Sequence, residues 1–195
     1  MHENEEQRSG RNKETLINRR YINSGEYRKK FDFISNNKDL SRLLYSITKE
    51  MLIHRSGTLY EDMYWIDLDT ISVVAREIKS IDPKRIEYSS FTKKIIQNYK
   101  GLLTIHTHPD SFPPSIDDFN SNFDHNYSIG LVACHDGKIY MYSANERLNE
   151  NYYKLVVEEY IKNGYNESEA QYVALQEIQQ NFDINFKEVV ANDGI

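Results

Sequence analysis

Apolar residues along this chain change period several times, and each change marks an element. Leu40, Leu43, Leu44, Ile47 and Met51 recur at helical spacing, which predicts a helix opening near Asn37 and stopping at Gly57. Residues 59–66 (LYEDMYWI) read as an aromatic-rich strand, 67–70 (DLDT) as a turn and 71–78 (ISVVAREI) as a second strand, together a hairpin. A short helix follows over 90–99, closed by Gly101. Residues 102–107 (LLTIHT) form a strand that runs into HPDSFPPS, and Ser115 caps the next helix. Two further strands, 127–134 and 138–143, flank Asp136-Gly137, a strong hairpin turn. The tail predicts helices over 147–163 and 167–181; Gly164 ends the first, and Asn166 caps the second with Glu169 three residues on. This succession predicts an α/β fold, a mixed sheet flanked by helices.

The 195 residues suit one domain with appendages. Residues 1–36 are polar and weakly periodic, so they read as a charged appendage, partly disordered or docked through Tyr21, Tyr27, Phe31, Phe33 and Ile34. Residues 37–145 form the core, and 146–195 a helical extension packed on it. The 15 tyrosines read first as packing material with a wet hydroxyl. The net charge of −6 argues against a chain-wide nucleic-acid footprint. Residues 11–30 run the other way, with seven Lys/Arg against two Glu, a weak signal for nucleic acid or an acidic partner. One cysteine, Cys134, cannot form an internal disulfide. No apolar stretch reaches signal-peptide or membrane-helix length, so a cytoplasmic protein without membrane contact is expected. The pattern gives no oligomeric state.

The chemistry concentrates in His106-Thr-His108-Pro109 and Ser115-Ile-Asp-Asp118. On a strand, residues i and i+2 share a face, so His106 and His108 project side by side at a strand end. Asp118, in the first turn of the next helix, folds back to complete a set of two histidines and one carboxylate. Three protein ligands leave the fourth position of a tetrahedral zinc open to water, the catalytic pattern, and the bound zinc lowers that water's pKa to about 7. Fe²⁺, Mn²⁺ or Co²⁺ would also accept this donor set. Taken singly, each piece has a plainer reading: two surface histidines, a stiff Pro113-Pro114 loop, and an ordinary S-x-x-D cap at Ser115 and Asp118.

The run HTHPDSFPPSIDDF resembles the signature of the JAB/MPN (JAMM) metalloproteases, a His-x-His-Pro start followed by Ser-x-x-Asp, in a form more like prokaryotic members than eukaryotic deubiquitinases. The motif covers 106–118, and the order of elements over 38–143 is compatible with the family's sheet between helices, similar to the cytidine-deaminase arrangement. The resemblance implies zinc on His106, His108 and Asp118. It implies Ser115 as a stabiliser of the oxyanion, and a polypeptide, ubiquitin-like or otherwise conjugated substrate cleaved at an amide or isopeptide bond. This sequence departs from the family in one respect: only 109–114 separate His108 from Ser115, one residue fewer than usual there.

The family also needs an upstream glutamate as general base. Glu61 is the candidate, sharing a strand face with Leu59, Met63 and Trp65. Asp62 lies on the opposite face, and alternation alone does not choose between them. Glu50, on the preceding helix, and Glu87, in a connector, are weaker. His54 reads as a helix-end residue, His125 and His135 as surface loop residues, and Cys134 as buried. Two other functions compete: a metal-free MPN-like scaffold or binding module, and a phosphoesterase- or amidohydrolase-type site. The second would need more histidines than the chain offers.

Overall fold

The computed structural model describes residues 13–83 and 85–191. These form an α/β fold: seven helices and one six-stranded mixed sheet. The helices are α1 (Arg19–Ile22), α2 (Gly25–Asp32), α3 (Lys38–Arg55), α4 (Ser90–Ile96), α5 (Ile116–Asp124), α6 (Glu150–Lys162) and α7 (Glu167–Ile178). The strands are β1 (Met63–Asp67), β2 (Ser72–Glu77), β3 (Leu103–His108), β4 (Ile129–Cys134), β5 (Ile139–Ala144) and β6 (Ile184–Glu188), in spatial order β2-β1-β3-β4-β5-β6. β3 and β4 run parallel, joined by the crossover through α5; every other pairing is antiparallel.

The expected helix after Asn37 forms because its apolar residues make one stripe. Leu44, Met51 and Leu52 are fully buried, and each such burial contributes about 1.5–3 kcal/mol. The Asn37 side chain opens it by accepting from the backbone N–H groups of Asp39 (2.9 Å) and Leu40 (3.2 Å). The Asp136-Gly137 turn forms as expected. Gly137 has φ +92°, and a Cβ there would lie 2.6 Å from the Tyr21 ring, so only glycine fits.

Several boundaries move. β1 begins at Met63 rather than 59: the Thr58 hydroxyl turns back to the Arg55 carbonyl (2.9 Å), and Asp62 N donates to the Thr107 hydroxyl (3.0 Å) instead of a strand carbonyl. Part of the appendage is helical: α1 and α2 bury Ile22, Tyr27 and Phe31, while Phe33 stays half exposed. Residues 1–12 of that appendage lie outside the described residues. The C-terminal extension is not wholly helical. It returns as β6, whose Ile184 and Phe186 face inward with period two and close the sheet beside β5.

The sheet divides two main cores. Tyr64, Ile66, Leu103, Ile105, Leu131, Ala133 and Ile139 meet α2 and α3 on one side. Val132, Cys134, Tyr140, Tyr142 and Phe186 meet α5, α6 and α7 on the other. A smaller cluster on this second side packs Met63 and Trp65 against α4. No helix among the described residues is long and apolar enough to cross a membrane.

Candidate metal centre

All six residues of β3 are buried between β1 and β4. Its carboxyl end is where an open α/β sheet leaves room for a ligand, beside the crossover to α5. Alternation sends His106 and His108 to the α5 side there. Their Nε2 atoms lie 3.0 Å apart. Asp118, in the first turn of α5, brings Oδ1 to 3.3 Å from His106 Nε2 and Oδ2 to 3.7 Å from His108 Nε2. One ligand atom from each residue lies within 4.8 Å of the others. Donors placed about 2.0–2.1 Å from a tetrahedral zinc stand roughly 3.3 Å from one another, so the donor set and its spacing fit that ion.

The loop between the candidate ligands orients them. The Phe112 carbonyl lies 2.9 Å from His108 Nδ1, which directs that nitrogen's proton outward and leaves Nε2 free to bind a metal. The His108 carbonyl accepts from Ser111 N (3.2 Å) and His135 N (3.2 Å), tying β3 to the β4–β5 turn. His106 is fixed differently: its Nδ1 is buried with no hydrogen-bond partner among the described residues, and its ring stands edge-on to Tyr142, 6.4 Å between centroids. Ser115 caps α5 through a full capping box. Its Oγ accepts from Asp118 N (3.2 Å) and donates to Asp118 Oδ2 (2.8 Å), and its own N–H donates to that oxygen (2.7 Å). The capping reading and the metal reading of S-x-x-D thus describe one arrangement, in which the cap aims the carboxylate at the histidines. Burial works to raise the Asp118 carboxyl. The two imidazoles and the Ser115 hydroxyl outweigh it and hold the group well below the usual carboxylate range.

β1 runs antiparallel to β3, with Met63 opposite His106. Its leading residues therefore arrive at the end of β3 that carries His106 and His108. Thr107 N donates to the Asp62 carbonyl (3.1 Å), and Asp62 N donates to Thr107 Oγ1 (3.0 Å). The pleat then separates the two neighbouring acids. Asp62 points to the α3 side, where its carboxylate meets Arg55 Nε (2.5 Å) and His54 Nδ1 (2.7 Å). Glu61 lines the cleft with His106, His108 and Asp118, and makes no hydrogen bond among the described residues. Burial pushes its carboxyl up to about 7; His108 pulls it down, while Asp118 and Asp110 add to the rise. Glu50 lies away from the cleft, exposed, accepting from the Tyr64 hydroxyl (3.2 Å), and Glu87 is also exposed.

The cleft measures about 960 Å³. Beyond the residues anticipated from sequence, Arg85, Ile86 and Tyr88 line it from the β2–α4 connection, and Glu167 and Gln171 from α7. Tyr88 packs edge-on against Trp65 at 4.9 Å, and the Trp65 indole donates to Tyr127 Oη (2.9 Å). A polar, aperiodic connection gives no local sign that it will fold over a site. Among the remaining histidines, His125 is exposed as expected, stacked on Tyr127. His135 corrects the surface reading: it is buried, with Nδ1 2.6 Å from the Thr15 carbonyl, 120 residues away in sequence. Cys134 is buried and free.

No family model, curated protein or solved structure matches this chain.

Proposed function

We propose that this protein is a zinc-dependent hydrolase of amide or isopeptide bonds, of the JAMM type, acting on a polypeptide or a ubiquitin-like conjugate in the cytoplasm. The observation that carries the reading is the convergence of His106, His108 and Asp118 within 4.8 Å, in a cleft that also holds a glutamate with no hydrogen bond among the described residues. A zinc ion on these three ligands would supply an acidified water and polarise the substrate carbonyl. Glu61 is the base. Its carboxyl, raised to about 7, matches the range in which a group both takes and returns a proton near neutrality. Glu61 takes the proton of the attacking water, the water oxygen bonds to the carbonyl carbon, and the C–N bond breaks as Glu61 returns that proton to the leaving amine. We assign the Ser115 hydroxyl to the developing oxyanion, where it exchanges its bond to Asp118 for one to substrate. The Ser115 backbone N–H keeps its hold on the Asp118 carboxylate meanwhile.

A cleft of about 960 Å³ lies at the upper end of the range for small-molecule sites and has room for a short stretch of polypeptide. The lone buried cysteine suits a reducing compartment.

The test is a panel of peptides and isopeptide-linked conjugates incubated with zinc-loaded protein, with products identified by mass. Glu61→Gln should lower turnover about 10²–10⁴-fold while retaining zinc. Full turnover in that variant would remove Glu61 from the mechanism.

A further inference from the structure

Glu61 is placed by its neighbours, because its own carboxylate has no hydrogen bond among the described residues. Both neighbours are gripped by one side chain. Arg55, at the last turn of α3, is fully buried. Its Nε meets the Asp62 carboxylate at 2.5 Å, and its guanidinium carbon stands 5.9 Å from the centre of the Tyr60 ring. The same turn is locked to the segment by Thr58, whose hydroxyl donates to the Arg55 carbonyl (2.9 Å) and accepts from Tyr60 N (3.2 Å). Asp62 is in turn bonded through its backbone to Thr107, between the two histidine ligands. An apolar pair of similar volume would serve a core as well as a buried ion pair, since desolvation offsets most of the attraction between the charges. What the ion pair adds here is direction: a planar cation that bonds Asp62 through Nε and stands over the Tyr60 ring, and so touches the residues on both sides of position 61.

We infer that Arg55 is a positioning residue that, through Asp62 and Tyr60, holds the Glu61 carboxylate in the cleft beside the metal-ligand triad. The inference rests on the reading of Glu61 as base, but it is tested without metal or substrate. Burial is what raises the Glu61 carboxyl, so a Glu61 released to solvent returns toward the ordinary glutamate value. Removing the Arg55 charge alone would act oppositely and raise it further.

The experiment follows the Glu61 side-chain carboxyl by ¹³C NMR across pH in zinc-free protein, with its signal assigned by its loss in Glu61→Gln. Wild type is compared with Arg55→Met/Asp62→Asn, which removes both charges together, and with Arg55→Lys, which keeps the charge and loses Nε and the planar guanidinium. The double variant should lower the midpoint by at least about 1 pH unit toward ~4.3, and Arg55→Lys should lower it less, in the same direction. An unchanged midpoint would make the pair a purely structural element; a higher one would make Arg55 only a charge. Either result overturns the inference, and Arg55→Lys decides alone if the double variant does not fold. Zinc content and hydrolysis of wild type are scored separately, so their failure would strike the metallohydrolase reading and leave the midpoints to judge Arg55.

Discussion

Residues 61 and 62 are both acids, and the pleat of the chain sends them to opposite sides of the sheet. On the α3 side, Asp62 is met by Arg55 and His54 and is almost wholly buried. On the α5 side, Glu61 faces two imidazoles and a second carboxylate with no bonded partner of its own among the described residues. The first region neutralises its charge internally. The second gathers its acids and imidazoles around an open cleft and leaves Glu61 unbonded among the described residues, which costs stability unless something binds there. The contrast distinguishes a buried acid that serves the fold from one available for chemistry.

The largest effect expected from breaking this contrast is on the α3 side. Asp62→Ala strands Arg55 without its carboxylate, and should destabilise the protein by about 3–5 kcal/mol in denaturant titrations. Glu61→Gln should do the reverse. A carboxyl raised to about 7 in the folded state and ordinary in the unfolded chain binds protons more tightly when folded. Its wild-type contribution is therefore lost as pH rises from about 4.5 to about 7, and stays lost above. Zinc-free Glu61→Gln should be more stable than wild type by about 1–3 kcal/mol at pH 8, and the gap should close at pH 4. A smaller effect is expected where the two roles meet. Ser115→Ala removes a helix cap, worth about 1 kcal/mol, and one of two bonds aiming Asp118. It should weaken zinc binding without abolishing it, as read by titration against a chelator.

The sequence made the cleft side more legible than the α3 side. His106, His108, Ser115 and Asp118 lie within one short run, and strand alternation with a capping pattern places all four. Alternation also put Glu61 on the face of Met63 and Trp65, but it could not choose between Glu61 and Asp62. That choice depends on Arg55, seven residues away on a helix whose end is packed against the segment. The burial of His135 is illegible in the sequence for the same reason, since its partner carbonyl is 120 residues distant. β6 escaped because two inward residues, Ile184 and Phe186, make too short an alternation to stand out after a helix. The six-residue loop between His108 and Ser115 brings Asp118 to both imidazoles, because Phe112 and Ser111 bond back to His108 and take up the turn.

The central claim, a metal held by His106, His108 and Asp118, is tested most directly by elemental analysis of wild type and His108→Ala purified identically. Wild type should carry about one zinc per chain, and the variant should lose it. No metal in wild type even after zinc is supplied, or equal zinc in both proteins, would contradict it; the first result would leave the cleft to a metal-free binding module.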